Sequence, residues 1–376
     1  MTITQLDHVP LVDLRAQHDE VADAVRAAFD RILDATAFVG GPDVAAFEVA
    51  FAAYCERRHC IGVANGTDAI EMVLRGLGIG AGDEVVVPTN TFIATAEAVA
   101  RANARPVLVD CDPLHHLIDP AQVARAITPR TRAVIGVHLF GQQAPMEHVA
   151  DVVAGRAIAL VEDAAQAQGA LRHLRPIASW GAAAATSFYP GKNLGAYGDA
   201  GAVVTDDEQL AATVRMIGSH GGARRYEHDV IGCNSRLDTL QAAVLKVKLA
   251  RLDGWNAARR VAAARYDELL GDLDRAGRVT RPATLAGNVH VWHLYVVKVA
   301  DRDVVLSRLN AAGVGAGIHY PVPVHLTKAF AELGQGRGSF PVAEALADQM
   351  ISLPMYPHIT AAQQARVVEV LTGALS

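Results

Sequence analysis

Ile61-Gly62-Val63-Ala64-Asn65-Gly66-Thr67-Asp68 passes from a short apolar run into a tight polar turn. Beyond it Ile70, Val73, Leu74 and Leu77 recur at helical spacing, so a helix is expected to open at Thr67 or Asp68. A strand that runs through a glycine turn into a helix is the repeating unit of an alternating α/β chain.

The same alternation continues downstream. Apolar runs predict strands over 84–87, 106–109, 133–138 and 157–162, separated by helical patterns over 91–102, 121–126 and 146–154. Thr186 and Ser187 end another strand, and 202–205 is a further one. Upstream, 11–33 reads as a helix with Val21, Ala24, Val25, Ala28 and Ile32 as its apolar stripe. Gly40-Gly41-Pro42 breaks it, and a second helix covers 44–57. This pattern predicts a mostly parallel sheet with helices on both faces. After a polar, glycine-rich loop over 218–234 come helices over 237–252 and 255–270. The texture then changes to shorter elements: strands over 290–299 and 317–320, and helices over 303–312, 343–350 and 361–375. The expected organisation is a large domain over 1–250, with N-terminal helices, and a small α+β domain over 251–376.

Composition narrows the function classes. Of 376 residues 51% are hydrophobic and 20% charged, enough apolar material for a sizeable core. A net charge of −6 argues against a nucleic-acid partner. Cys55, Cys60, Cys111 and Cys233 form no Cys-x-x-Cys pair, so neither a zinc ribbon nor a disulfide scaffold is indicated. No metal-spaced His/Glu cluster is present. Residues 1–10 show no basic segment followed by an apolar one, and no apolar run is long enough to span a bilayer. A soluble, reducing, cytoplasmic setting is expected.

Chemistry is expected at the carboxyl ends of the strands, where ligands of open α/β sheets sit. Asn65-Gly66-Thr67 caps a helix start, and free N–H groups there bind phosphate, although ordinary caps look the same. Asp163 follows a buried strand, so its carboxylate needs either a salt bridge within the fold or a cationic ligand such as a protonated pyridine nitrogen. Phe92, after another strand, suits either stacking on a flat ligand or the core. His138 reads as a satisfied core histidine, with a place facing the same crevice as its alternative. Lys192, in Ser187-Phe188-Tyr189-Pro190-Gly191-Lys192-Asn193, lies between a buried strand and a glycine-rich loop. Desolvation there lowers an amine's pKa and makes it a nucleophile toward carbonyls. Two rival motifs fail. Gly76-Leu77-Gly78-Ile79-Gly80 follows a helix and precedes a strand, the reverse of a dinucleotide fingerprint. Gly191-Lys192 is no P-loop, because Asn193 replaces the required Ser or Thr. A nicotinamide-dependent sugar reductase is therefore disfavoured.

Six strings, in order, resemble the DegT/DnrJ/EryC1/StrS family of pyridoxal-phosphate-dependent sugar aminotransferases. They are Asn65-Gly66-Thr67-Asp68-Ala69, Pro88-Thr89-Asn90-Thr91-Phe92, Val161-Glu162-Asp163-Ala164-Ala165-Gln166, Ser187 to Lys192, Gly232-Cys233-Asn234-Ser235-Arg236-Leu237 and His319-Tyr320-Pro321-Val322-Pro323. The resemblance implies the aspartate-aminotransferase-like fold, fold type I, and pyridoxal 5'-phosphate as cofactor. It implies Lys192 as the Schiff-base lysine and proton carrier, and Asp163 as partner of the pyridine nitrogen. Gln166 would bond the ring's phenolic oxygen, and Phe92 would stack on the ring. Gly66, Thr67 and Ser187 would bind the phosphate, with Asn234 reaching it from the neighbouring subunit of a homodimer. Tyr189, His319 and Tyr320 would sit near the sugar. Cys233 departs from the family, where an aromatic residue is common. Dehydratase relatives carry histidine in place of the lysine, so Lys192 favours transamination.

The implied reaction moves an amino group from L-glutamate to a nucleotide-linked keto-sugar in deoxyamino-sugar and antibiotic biosynthesis. The strings Asn234-Ser235-Arg236-Leu237-Asp238 and His319 to Pro323 look more like the enzymes that aminate carbon 3 of a dTDP-linked 3-keto-6-deoxyhexose. Carbon-4 and inosose aminotransferases are the alternatives, with a non-catalytic regulatory relative as a rival of another class. Arg224 and Arg225 would meet the nucleotide's pyrophosphate or belong to a solvated loop.

Overall fold

The computed structural model describes residues 8–222, 224 and 226–376; the stretch 1–7, read above for a leader, and Arg225 lie outside the described residues. The chain opens with helices α1 (Leu14–Asp34) and α2 (Pro42–Tyr54). Then come β1 (His59–Val63), α3 (Gly66–Gly76), β2 (Glu84–Pro88), α4 (Ile93–Arg101), β3 (Arg105–Val109), α5 (Pro120–Ala126), β4 (Thr131–Val137), α6 (Met146–Val153) and β5 (Ala159–Asp163). A two-residue β6 (Leu171–Arg172) precedes β7 (Ala183–Ser187), β8 (Gly201–Thr205) and α7 (Glu208–Gly218). After α8 (Thr239–Leu249), α9 (Leu252–Leu269) and α10 (Gly271–Arg275) come β9 (Asn288–Val289), β10 (Tyr295–Lys298), α11 (Arg302–Ala311), α12 (Pro341–Gln349), β11 (Met350–Leu353) and α13 (Ala361–Ala374).

Seven strands form the main sheet in the order β1-β8-β7-β5-β4-β2-β3. β8 alone runs antiparallel to its neighbours, so the sheet is mostly parallel as expected. Parallel strands covered on both faces read as continuous apolar runs. Glu84-Val-Val-Val-Pro88 is buried at every position, and Ala183-Ala-Ala-Thr at all four. One core lies between the sheet and α3, α4 and α7; others fill the α2–α8 side and the α5–α6 side. A separate core joins α9, α11 and α13 to β10 and β11, and it includes Val9 from before α1.

Four expectations need correction. The strand expected over 290–299 is confined to Tyr295–Lys298, because Trp292 has a positive φ of 48° and breaks the run. Residues 317–320 are no strand; Gly317 makes an isolated bridge to Ser352. Helix α7 was missed, although Asp207 caps it by accepting from the N–H groups of Gln209 and Leu210. Ala24 faces solvent, and the buried stripe of α1 runs through Gln17, Val21, Val25 and Ile32.

Buried neutral histidines tie this fold to pH. Burial pushes His116 down to about 4 and His290 down to about 3. His290 Nδ1 accepts from the Trp292 N–H at 2.8 Å, which fixes that nitrogen as unprotonated. The unfolded chain binds protons on these rings from about pH 6.5 downward, while the folded chain refuses them. The carboxyls of Glu84 and Glu344, held below their usual range by hydrogen bonds, add a loss of the same sign at lower pH. Stability is therefore expected to fall as pH drops from about 6.5 toward 4. Urea midpoints compared at about pH 7.5 and about pH 5 check this; equal midpoints would mean the rings protonate within the fold.

Candidate active site

Loops leaving the carboxyl ends of β1, β2, β4, β5 and β7 surround one cleft of about 440 Å³, within the usual range for a small-molecule site. Gly66, Thr67, Phe92, Asp163, Gln166, Ser187, Tyr189, Lys192, His319 and Tyr320 all line it. Two of the predicted residues do not. Asn234 is exposed, its Oδ1 accepting from Arg236 Nε at 3.1 Å. Arg224 is exposed beside Glu227, 3.9 Å away.

At the β1–α3 turn, Asn65 Oδ1 accepts from the Asp68 N–H at 2.8 Å. That leaves the Gly66 and Thr67 N–H groups without acceptors in the helix they open. A Cβ on Gly66 would lie 2.7 Å from Ser187 Cβ, so only glycine lets this turn sit against the end of β7. The result is a cradle of free N–H groups with the Thr67 and Ser187 hydroxyls beside it, the arrangement that binds phosphate.

Asp163 ends β5 with 7% of its surface exposed. Its Oδ2 accepts from Thr95 Oγ1 at 2.7 Å, and its Oδ1 from the Ala165 N–H at 3.1 Å. Thr95 is itself 2.8 Å from Thr91 Oγ1. Among the described residues no Lys, Arg or His lies within ion-pair distance of Asp163. The salt-bridge reading of this residue is thus replaced by a buried carboxylate turned toward the cleft, which calls for a cation.

Lys192 stands after the Tyr189-Pro190-Gly191 turn, its backbone N–H donating to Tyr189 O at 2.8 Å. Burial pushes its ammonium down to about 8, with Asp163 opposing that shift. Gln166 is oriented without ambiguity: Oε1 accepts from the Phe140 N–H at 2.6 Å, and Nε2 donates to Tyr320 Oη at 3.0 Å. Phe92, the cap residue of α4, is 50% exposed, and its ring centroid lies 5.1 Å from that of Tyr320. Tyr189 is exposed too, so the cleft keeps two aromatic faces open. His319 Nδ1 is 2.8 Å from Ser352 Oγ, and burial, helped by Lys192, pushes the ring down to about 4. Burial also pushes the Tyr320 hydroxyl up.

His138 is the core histidine it reads as: fully buried, with Nε2 3.0 Å from Glu162 Oε2 and Nδ1 accepting from the Ala144 N–H at 3.1 Å. Sequence reasoning missed Thr95, which sits four residues after Thr91 and so on the same face of the helix entry. It also missed Leu11, Val12, Asp199 and His293, which line the cleft. These come from loops and an N-terminal strap, where no periodic pattern marks them. Among the described residues no group of three His, Cys, Asp or Glu side chains is placed to hold a metal ion. No described helix is long and apolar enough to cross a membrane.

A family model described as the DegT/DnrJ/EryC1/StrS aminotransferase family matches residues 19–372. The dTDP-3-amino-3,4,6-trideoxy-alpha-D-glucose transaminase of Streptomyces venezuelae is 46% identical over 96% of this chain and 94% of its own. The erythromycin biosynthesis sensory transduction protein EryC1 of Saccharopolyspora erythraea is 47% identical over 94% of this chain and 95% of its own. Among solved structures, S. venezuelae DesV in complex with a ketimine intermediate superposes with a TM-score of 0.95, at 45% identity, over 98% of this chain and 99% of that one.

The cradle can be tested directly. Gly66→Ala places a methyl group against Ser187 Cβ and is expected to weaken pyridoxal 5'-phosphate binding by about tenfold to a hundredfold, roughly 1.4–2.8 kcal/mol. Fluorescence titration of the cofactor into cofactor-free protein measures it. An unchanged affinity would remove the anion-binding role of this turn.

Proposed function

The chain belongs to the DegT/DnrJ/EryC1/StrS aminotransferase family, whose aminotransferases depend on pyridoxal 5'-phosphate; from that premise we propose that it aminates carbon 3 of a dTDP-linked 3-keto-6-deoxyhexose, with L-glutamate as donor. One observation carries the reading: a single cleft joins an amine depressed to about 8, a buried carboxylate with no counter-ion among the described residues, and a helix-start cradle lined with hydroxyls. The activity named for the S. venezuelae transaminase supports carbon 3 and the nucleotide.

The residues present fit the cofactor. Its phosphate matches the Gly66, Thr67 and Ser187 cradle, which a Cβ at position 66 would fill. Its pyridinium N–H matches the Asp163 carboxylate, its phenolic oxygen the Gln166 amide, and its ring the exposed face of Phe92. When bound, it supplies an aldehyde for the donor's amine and an electron-poor ring. The protein's own groups do the rest. Asp163 would hold the ring nitrogen, its two oxygens being oriented by the Thr95 hydroxyl and the Ala165 N–H. Lys192 Nζ is substantially neutral near pH 8. It takes a proton from the donor's α-carbon and, in the second half-reaction, delivers one to carbon 3 of the sugar. His319 stays neutral and keeps Nδ1 on Ser352, so its other nitrogen faces the substrate side together with Tyr320 and Tyr189.

In this reading the working form is a cytoplasmic homodimer. Asn234 reaches the phosphate, and Arg224 the nucleotide pyrophosphate, from the adjacent subunit. Residues 1–250 form the cofactor-binding part and 251–376 the smaller part, with the segment around Val9 packed on the latter. A second reading, a ligand-binding regulator without turnover, rests on the name of the S. erythraea relative. Lys192, Asp163 and Gln166 standing in one cleft favours catalysis.

Lys192→Ala is expected to abolish conversion of nucleotide-linked 3-keto-6-deoxyhexoses to 3-amino sugars, read by mass spectrometry across a panel of 3-keto and 4-keto substrates. Turnover by this variant without added amines, or amination of the 4-keto sugars alone, would overturn the corresponding part of the reading. Mixing the inactive Lys192→Ala and Asn234→Ala dimers under exchanging conditions is expected to restore roughly a quarter of full activity, since each hybrid dimer holds one intact site. No recovery would place Asn234 outside the partner's site.

A further inference from the structure

Behind the cleft a hydroxyl, an imidazole and a carboxylate stand in line. Thr89 Oγ1 lies 2.9 Å from His325 Nδ1, and His325 Nε2 lies 3.0 Å from Glu344 Oε1. Burial works against a charge on Glu344, yet the Gly338 and Phe340 N–H groups and His325 together hold its carboxyl below the usual range. An ionised carboxylate only accepts, so Nε2 of His325 carries a hydrogen. In the neutral ring Nδ1 is then the acceptor, and the Thr89 hydroxyl donates to it. The same order of groups activates nucleophiles in hydrolases. Here it has another use, because Thr89 is 0% and His325 2% exposed, out of reach of any substrate.

The line belongs to a closed frame. Thr89 follows β2; its N–H donates to Val109 O at the end of β3, and its carbonyl accepts from the Val324 N–H, both at 2.9 Å. Glu344 sits in the first turn of α12, whose start is pinned to the residue after β3. There Asp110 Oδ2 accepts from the Val342 N–H and Oδ1 from the Ala343 N–H, both at 2.9 Å. The His325 ring packs edge-on against Phe340, with 4.8 Å between centroids. Hydrogen bonds thus join the ends of β2 and β3, the start of α12 and the turn Val324–Leu326 around one path. A buried network with its members satisfied is rigid.

Two sides of this frame carry walls of the cleft. Phe92 follows Thr89 by three residues, and the same turn reaches Asp163 through Thr91 and Thr95. Tyr320 precedes His325 by five residues, next to His319, which is held on Ser352. The walls meet where the Phe92 and Tyr320 rings lie 5.1 Å apart, and Tyr320 Oη accepts from Gln166. Pro321 and Pro323 stiffen the link from Tyr320 to the frame.

We propose that Thr89, His325 and Glu344 are positioning residues: their hydrogen-bonded line sets the spacing between the Phe92 and Tyr320 walls, and with it the seat of the flat cofactor ring. The inference rests on the transaminase reading above for its substrates. A misplacement of about 1 Å at a reacting centre costs about a hundredfold in rate, so a slack frame would be felt.

Two variants separate the hydrogen bond from packing. Thr89→Val keeps the branched shape and lacks the hydroxyl; Thr89→Ser keeps the hydroxyl. Visible circular dichroism of the pyridoxal-phosphate-loaded protein reads how the ring is seated, and fluorescence titration reads its affinity. Thr89→Val is expected to alter the visible dichroism, to weaken cofactor binding about tenfold and to lower kcat for the keto-sugar about tenfold. Thr89→Ser is expected to stay within about twofold of wild type in affinity and kcat, with wild-type dichroism. A folded Thr89→Val protein with wild-type dichroism, affinity and kcat overturns the proposal and leaves the line as a stabiliser of the fold. Equal damage in Thr89→Ser also overturns it, by assigning the effect to shape. If neither variant folds, ¹⁵N-histidine NMR of the wild type decides. A hydrogen on His325 Nε2, and an Nδ1 signal that moves when pyridoxal phosphate is added to cofactor-free protein, support the proposal. The opposite tautomer, or a ring that does not respond to the cofactor, overturns it. A wild type without turnover on any keto-sugar undoes the transaminase reading, while dichroism and affinity still test the frame.

Discussion

The site depends on a carboxylate that the fold buries and does not neutralise. β5 is the central strand of the sheet, and its last two residues are both acids, Glu162 and Asp163. Strand geometry sends them to opposite faces. Glu162, fully buried, is saturated by the Ala178, Trp180 and Gly181 N–H groups and by His138. Asp163 receives a hydroxyl and one N–H, and its face opens on the cleft. Two adjacent buried acids thus have different fates. One is locked as structure; the other keeps an unmet demand for positive charge. A buried unpaired charge is costly, so the sheet holds Asp163 in place at a cost that a cationic ligand offsets.

A depressed lysine alone does not mark the chemistry. Lys248 is also pushed down to about 8 by burial and is 2% exposed. Its Nζ donates to Gly195 O at 2.7 Å and lies 4.6 Å from the centre of the Tyr197 ring. That amine has acceptors on its own side of α8 and braces the loop that follows the lysine turn. Lys192 differs in lining the cleft that Asp163 also lines. Company, more than the size of the shift, distinguishes nucleophile from strut. The brace matters to function because the Ser187–Lys192 segment has no regular structure of its own after β7 ends at Ser187.

Much of this was legible in the chain. The strand-turn-helix at 61–77 and the alternation that follows gave the parallel sheet, because strands buried on both faces must be apolar throughout. Ligand residues at strand ends followed from the rule for open sheets, and Gly66, Asp163, Ser187 and Lys192 all meet at one cleft. Legibility failed where tertiary context overrides local pattern. The run over 290–299 has strand periodicity, but the left-handed Trp292 turns it so that His293 meets Asn193. Thr95 looks like an ordinary helix residue until β5 brings Asp163 to it. Gly317 to Tyr320 has strand composition yet is shaped by the neighbouring Leu11 strap and Ser352. No spacing in the sequence announces contacts between residues so far apart along the chain.

Charge balance in the cleft bears on how many chains complete it. Among the described residues that line it, Lys192 is the single lysine or arginine, against Asp163 and Asp199. The proposed substrates carry a cofactor phosphate, a nucleotide pyrophosphate and two donor carboxylates. Helix-start N–H groups meet the first. The remaining anions call for guanidinium or ammonium groups that the described residues of one chain do not bring to the cleft, since paired Arg–phosphate contacts are the strong ones. Arg224 and Arg236 are exposed on and just after the loop over 218–234, and Val230 and Ile231 stand out of the same loop. In the proposed dimer these exposed aliphatic side chains would bury area on the second copy, and the arginines beside them would supply the missing charge. Anion binding and dimerisation would then be one event, and a monomer would hold the cofactor's ring while lacking the grip on its substrate.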